Sequence, residues 1–149
     1  MNQILKYAAL SSLFFLSACQ SPTGVRVLTT PAHEALGLPF SEAVIAGDLI
    51  FVSGQLGTKP GTAELVSGGI EPQTRQTMAN IQAILERYGA SMDNVAKCTI
   101  FINDMRDWSA MNTVYLTFFP NHKPARSALG ANGLALGAAV EIECIAALK

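Results

Sequence analysis

Histidine, cysteine and charge are all scarce in this chain of 149 residues, and each scarcity closes off a class of function. Two histidines, His33 and His122, cannot build a His-rich metal site. Three cysteines, at positions 19, 98 and 144, are too few and too scattered for a disulfide scaffold or a zinc finger. Ten Lys and Arg against eleven Asp and Glu leave a formal charge of −1, so no strong field gathers nucleic acid or an anionic membrane surface. The sequence holds no GxGxxG after a strand, no Walker-type phosphate loop, no CxxC and no HExxH. It has no repeats and no charge runs. What it does have is 50% hydrophobic and only 14% charged residues, which excludes a disordered chain.

The N-terminus reads as an object apart from the fold. Lys6 precedes an uncharged apolar run from Tyr7 to Leu16. That run is short of the roughly 20 residues a membrane-spanning helix needs, and it suits the h-region of a secretory signal. Leu16-Ser17-Ala18-Cys19 then resembles the lipobox of bacterial lipoproteins, in which the Cys is lipidated and the peptide before it removed. An ordinary signal peptide with a chance Cys is the alternative. Under the lipoprotein reading, Gln20 in place of Asp would not retain the protein at the inner membrane. The expected address is the bacterial cell envelope, at the outer membrane facing the periplasm, with the membrane engaged only through the lipid anchor. Cleavage would remove Lys6 and no acid, leaving a charge of −2. The expected organisation is a signal peptide over residues 1–18, a lipidated Cys and tether over 19–30 and one domain over 31–149, with a short strand near Arg26 to Thr29 just ahead of it.

Within the domain, Ala43 to Ala46 and Leu49 to Ser53 are β-rich runs split by Gly47-Asp48, a two-residue hairpin signal. Thr77, Ile81, Ile84, Leu85 and Tyr88 recur at helical spacing, and Gly89 is a natural stop. Val95 to Ile102 alternates as a strand. Asn103 or Asp104 opens a second helix carrying Trp108, Met111, Val114, Tyr115 and Phe118, which Pro120 ends. Two more β-runs, Ala125 to Leu129 and Ala139 to Ala147, bracket a small-residue loop. The order is ββ, α, β, α, ββ. Two helices on one face of a mixed sheet, an α+β fold, is the economical architecture.

Chemistry concentrates near the C-terminus. Arg126 stands among apolar residues at the start of a β-run, and Glu141 and Glu143 alternate with Val140, Ile142 and Cys144. Both carboxylates therefore project away from the core face, toward solvent or another subunit. An Arg near such a Glu can hold a substrate carboxylate in a bidentate grip while the Glu exchanges a proton. A structural Arg–Glu pair at an interface is the competing reading. Cys98 and Cys144 fall on the core side of their strands and read as buried free thiols, with a disulfide as the alternative in an oxidising periplasm. The histidines read as solvated, and Trp108 and Tyr115 as helix packing.

Ser53-Gly54-Gln55, Val95 to Ile102, Asn112-Thr113-Val114-Tyr115, Pro124-Ala125-Arg126-Ser127 and Val140-Glu141-Ile142-Glu143 together resemble the RidA (YjgF-like) family, in that family's order. The resemblance implies a chorismate-mutase-like α+β fold assembled as a homotrimer with sites between subunits. It implies hydrolytic deamination of reactive 2-imino and enamino acids to 2-oxo acids and ammonia, with no metal and no cofactor. Carried over by position, Glu141 would activate water and shuttle protons, Arg126 would pair with the substrate carboxylate, and Ser53 and Asn112 would line the pocket. Ala128 stands where many members have Cys, and its backbone carbonyl is the implicated group. Phe40 stands where active members often carry Tyr. The alternative function is a non-catalytic module that binds a small carboxylate-bearing metabolite in the same cleft, favoured by Phe40 and the extracytoplasmic address. Endoribonuclease activity has also been attached to the family, and a charge of −2 argues against it. Under the lipoprotein reading, Cys19→Ser leaves the precursor uncut or releases the protein from membranes. Labelled fatty acid entering the wild type but not the variant checks this.

Overall fold

Residues 140–147 show why the chain folds as it does. Val140, Ile142, Cys144 and Ala146 are buried while the residues between them are half-buried or exposed, the period of two that a strand buried on one face requires. The computed structural model describes residues 24–148. Position 19 lies outside the described residues. The described elements run β1 (Val25–Leu28), α1 (Pro31–Glu34), β2 (Ala43–Ala46), β3 (Leu49–Leu56), α2 (Ile70–Arg87), β4 (Val95–Ile102), α3 (Trp108–Leu116), β5 (Ala125–Gly130) and β6 (Val140–Ala147). The strands form a sheet in the order β1-β2-β3-β6-β4-β5. All pairings are antiparallel except β4 with β5, which run parallel and are joined by the α3 crossover that parallel neighbours need. β1 pairs with β2, so the sheet takes its first strand from the stretch just before Pro31.

Helix α2 forms where the sequence turns to a 3.6-residue period. Met78, Ile81 and Leu85 are fully buried, and they meet Ile50, Ile100, Ile102 and Ile142 from the sheet. Burying a side chain of this size contributes roughly 1.5–3 kcal/mol. The helix stops at Gly89, whose φ of 88° suits glycine, and Ala90 closes the end with a bond to the Leu85 carbonyl at 2.9 Å. The second helix is shorter than the sequence suggests. Asp104 accepts from the Arg106 backbone N–H at 2.9 Å and starts a 3-10 turn, Met105–Asp107, so α-helical geometry begins only at Trp108. A short acid that bonds its own backbone competes with the helix it precedes. Beyond Leu116 the chain continues in i→i+3 bonds, Phe118 to Tyr115 and Phe119 to Leu116.

Two expectations are corrected. Cys98 and Cys144 are joined in a disulfide, not left as free thiols. They are direct partners in the β4–β6 ladder with Cα atoms 4.1 Å apart, the close spacing of a non-hydrogen-bonded antiparallel pair. His122 is half-buried, not solvated: its Nε2 donates to the Val95 carbonyl at 2.9 Å and its ring meets Phe119 edge-on.

The disulfide closes a loop of 46 residues, for which loss of the bond costs on the order of 2–4 kcal/mol. Cys98→Ala or added reductant should therefore lower the urea midpoint of the domain. A chain starting at Ser21 should show no reactive thiol when unfolded without reductant.

Candidate active site

The bulge in β3 builds the first part of the site. Pairing between β3 and β6 slips between Val52 and Gln55, and Ser53 and Gly54 occupy the irregularity. The Ser53 backbone N–H donates to the Glu42 carbonyl at 3.0 Å, and its hydroxyl donates to the Ser41 carbonyl at 2.7 Å. This holds the chain just after Phe40. His33 Nε2 donates to the Phe40 carbonyl at 2.7 Å, and the two rings meet edge-on. The Phe40 side chain itself is 48% exposed. Glu42 anchors the same loop from below, accepting from Thr30, from Arg87 at 2.8 Å and from the Tyr88 hydroxyl at 3.1 Å.

Glu141 lies beside Gly54 of the bulge, on the sheet face away from the helices and opposite Leu56 on β3 and Phe101 on β4. A methyl group on Gly54 would overlap its carboxylate, so the glycine leaves room for the acid. Burial pushes the Glu141 carboxyl above the usual carboxylate range, and the like charge of Glu143 adds to the shift. A carboxyl so placed is suited to exchanging a proton with a reacting group.

The second part of the site is on the other face. Arg126 pairs with Cys98 in the parallel β4–β5 ladder and so shares the helix side of the sheet. Trp108, Asn112 and Tyr115 repeat at i, i+4 and i+7 and present one face of α3 to it. Arg126 Nη1 donates to Asn112 Oδ1 at 2.6 Å, and the guanidinium carbon lies 5.3 Å from the ring centres of both Trp108 and Tyr115. Ala128 follows two residues on, paired with Ile100 on the same face.

The structure thus sorts the sequence-derived residues into two groups. Phe40 and Ser53 gather with Gly54 and Glu141, while Asn112 and Ala128 gather with Arg126. Within one chain the groups do not meet. Glu141 and Arg126 are two strands apart, about three residues out of step along β4 and on opposite faces, which puts their backbones on the order of 14 Å apart. The concavity on the open face, about 130 Å³, lies beside Phe51, Lys97, Thr99 and Glu143, and is smaller than the roughly 300–1,000 Å³ of pockets that enclose small ligands. Sequence reasoning missed Gly54 as a spacer, and it assigned Trp108 and Tyr115 to packing alone. The i, i+4, i+7 spacing about Asn112 carried that signal. Among the described residues no cluster of His, Cys, Asp and Glu is arranged to hold a metal ion.

A mixed sheet with its helices on one face, in this strand order, places the protein in the class of chorismate-mutase-like α+β folds. Residues 31–148 match the family model described as endoribonuclease L-PSP. The chain is 42% identical over 137 residues to Reactive Intermediate Deaminase A, chloroplastic, of Arabidopsis thaliana, covering 90% of this chain and 73% of that one. It is 41% identical over 120 residues to the 2-iminobutanoate/2-iminopropanoate deaminase of Capra hircus, covering 80% and 87%. Among solved structures, a Rid-family protein from Yersinia pestis superposes with a TM-score of 0.78 at 36% identity, covering 84% of this chain and all of that one. The E. coli protein TdcF, solved with bound serine, gives 0.71 at 31% identity, covering 83% and 94%. The chain belongs to the endoribonuclease L-PSP family, which is the RidA family.

Gly54→Ala tests the spacer role. The added methyl meets the far end of a flexible side chain, so the fold should survive while the Glu141 carboxylate is displaced. Imine turnover should fall about ten- to a hundredfold, with the thermal midpoint little changed by circular dichroism.

Proposed function

We propose that this protein, an imine deaminase-like enzyme, hydrolyses small 2-imino acids to 2-oxo acids and ammonia in a site completed between copies of the chain. What carries the reading is a guanidinium fixed by Asn112 on one face of the sheet and a carboxyl of raised pKa on the other, on a chain about 40% identical to named imine deaminases. Arg126 takes the substrate carboxylate, for which hydrogen bonds to a charged group are worth roughly 1.5–3 kcal/mol. Glu141 accepts a proton from water as the oxygen adds to the carbon of the protonated C=N. The same carboxyl returns that proton to nitrogen. It then takes the hydroxyl proton of the adduct as the C–N bond breaks and the carbonyl forms, and passes it to the departing ammonia, which leaves as ammonium. Neither electrons nor any further reactant are needed. Orientation and one acid–base group supply the acceleration. Ser53, Asn112 and the Ala128 carbonyl line the cleft, and Phe40 serves as an apolar wall.

The same geometry supports assembly. Val25 and Val27 (68% and 63% exposed), Leu49, Phe51 and Leu129 are exposed apolar residues spread across the sheet face that carries Glu141. A face this apolar favours burial against another copy. Placing that face against a neighbour lets the Glu141 of one chain approach the Arg126 of the next, and the resemblance supplies a homotrimer. For the address, the Leu16–Cys19 pattern supports a lipid anchor and the Cys98–Cys144 disulfide supports an oxidising compartment, which the cell envelope combines.

Semicarbazide-competition assays on 2-imino acids made by an amino-acid oxidase test the reading. Arg126→Ala should abolish turnover through loss of binding, and Glu141→Gln should cut it with the ligand still bound. Trimers reassembled at random from an equal mixture of the two variants should recover about a quarter of wild-type activity above what Glu141→Gln alone retains, since about one site in four then joins an intact Arg126 to an intact Glu141. No recovery refutes the shared site. Wild-type rates equal to the blank favour a binding module over an enzyme.

A further inference from the structure

The Arg126 guanidinium is held by more than its hydrogen bond. Arg126 is an exposed residue on an edge strand, and an arginine side chain there carries about 2 kcal/mol of rotamer entropy unless something restrains it. Asn112 restrains one nitrogen, Nη1, and leaves Nη2 and Nε for a ligand. The rings of Trp108 and Tyr115, each centred 5.3 Å from the guanidinium carbon, restrain its plane. Tyr115 is 3% exposed and packed in the core, so its ring is a rigid floor. Its hydroxyl is buried without a hydrogen-bond partner among the described residues, so its contact with Arg126 is through the ring. Trp108 is half-buried at the first turn of α3, where the preceding 3-10 turn delivers it.

We propose that Trp108 is a positioning residue for substrate binding, its ring joining that of Tyr115 to present the Nη2–Nε edge of Arg126 to the substrate carboxylate. This rests on the reading that Arg126 binds that carboxylate. The role belongs to the aromatic ring and not to apolar volume, so phenylalanine preserves it and leucine does not. It acts on binding, since the ring reaches the substrate only through the guanidinium. The chain has one tryptophan, so Trp108 fluorescence reports the state of Arg126 directly.

Steady-state kinetics on 2-iminobutanoate should show Trp108→Leu raising KM about five- to thirtyfold with kcat little changed. Trp108→Phe should bring KM back to within about threefold of wild type. A merely structural role predicts loss of soluble protein or a fall in kcat, without rescue by phenylalanine. The second measurement needs no Trp108 variant. Titrating the wild type with 2-oxobutanoate, the product acid, should change tryptophan emission to saturation, and Arg126→Ala should abolish that change and shift the unliganded emission. If Arg126→Ala abolishes turnover while Trp108→Leu leaves KM unchanged, the positioning role is refuted and carboxylate binding by Arg126 stands. If Arg126→Ala leaves turnover and KM unchanged, both fall. Emission insensitive to Arg126→Ala and to 2-oxobutanoate also refutes the positioning role.

Discussion

The alternation along β6 is the constraint on which the remaining structure depends. β6 lies between β3 and β4 and hydrogen-bonds to both, so it cannot move without breaking two ladders. Its Val140, Ile142, Cys144 and Ala146 are committed to the helix-covered core, which forces Glu141 and Glu143 onto the opposite face. A slip of one residue would bury both acids and expose the core residues. The Cys98–Cys144 disulfide forbids that slip covalently, because it joins the register partners themselves. The position of the acid thus follows from the packing of residues that take no part in chemistry.

Separating Arg126 from Glu141 within one chain has an electrostatic consequence. Placed side by side they would form an ion pair, lowering the pKa of the carboxyl and occupying the guanidinium donors. Apart, each is held ready by its own surroundings. Partial burial and Glu143 keep the Glu141 carboxyl above its ordinary range. Arg126 lies against two aromatic rings, which attract the cation while leaving donors available. Under the proposed assembly the two groups face each other across a substrate, whose carboxylate takes the place of a protein acid at the arginine.

Local signals were the legible part of this fold. The strand at Val95–Ile102, the hairpin about Gly47-Asp48 and the helix ending before Gly89 follow from period and turn chemistry over a few residues. Pairings between distant strands were not legible. Cys98 and Cys144 were placed on the correct face of each strand, yet the disulfide depends on the β4–β6 register, which no local pattern encodes. The two-sided site was hidden for the same reason. That Arg126 points to the helix side follows only from its parallel alignment with Cys98. The late start of α3 reflects Asp104 bonding its own backbone, a competition that apolar spacing does not reveal.

Phe40 shows how the loop beside Glu141 tolerates a change of side chain. The backbone there is fixed from three directions, by His33 on the Phe40 carbonyl, by Ser53 on Ser41 and by the Glu42 cluster with Arg87 and Tyr88. None of these contacts uses the Phe40 ring as a donor or acceptor, and the ring is half exposed. Replacing a phenol by a phenyl at this position removes one hydrogen-bonding group from the cleft and leaves the wall where it was. Under the proposed mechanism, proton transfer then falls to Glu141, the β6 acid that lies beside Gly54. The bulge at Ser53 and Gly54, which holds the loop and makes space for the acid, ties the wall and the proton-transfer group to one irregularity in one strand.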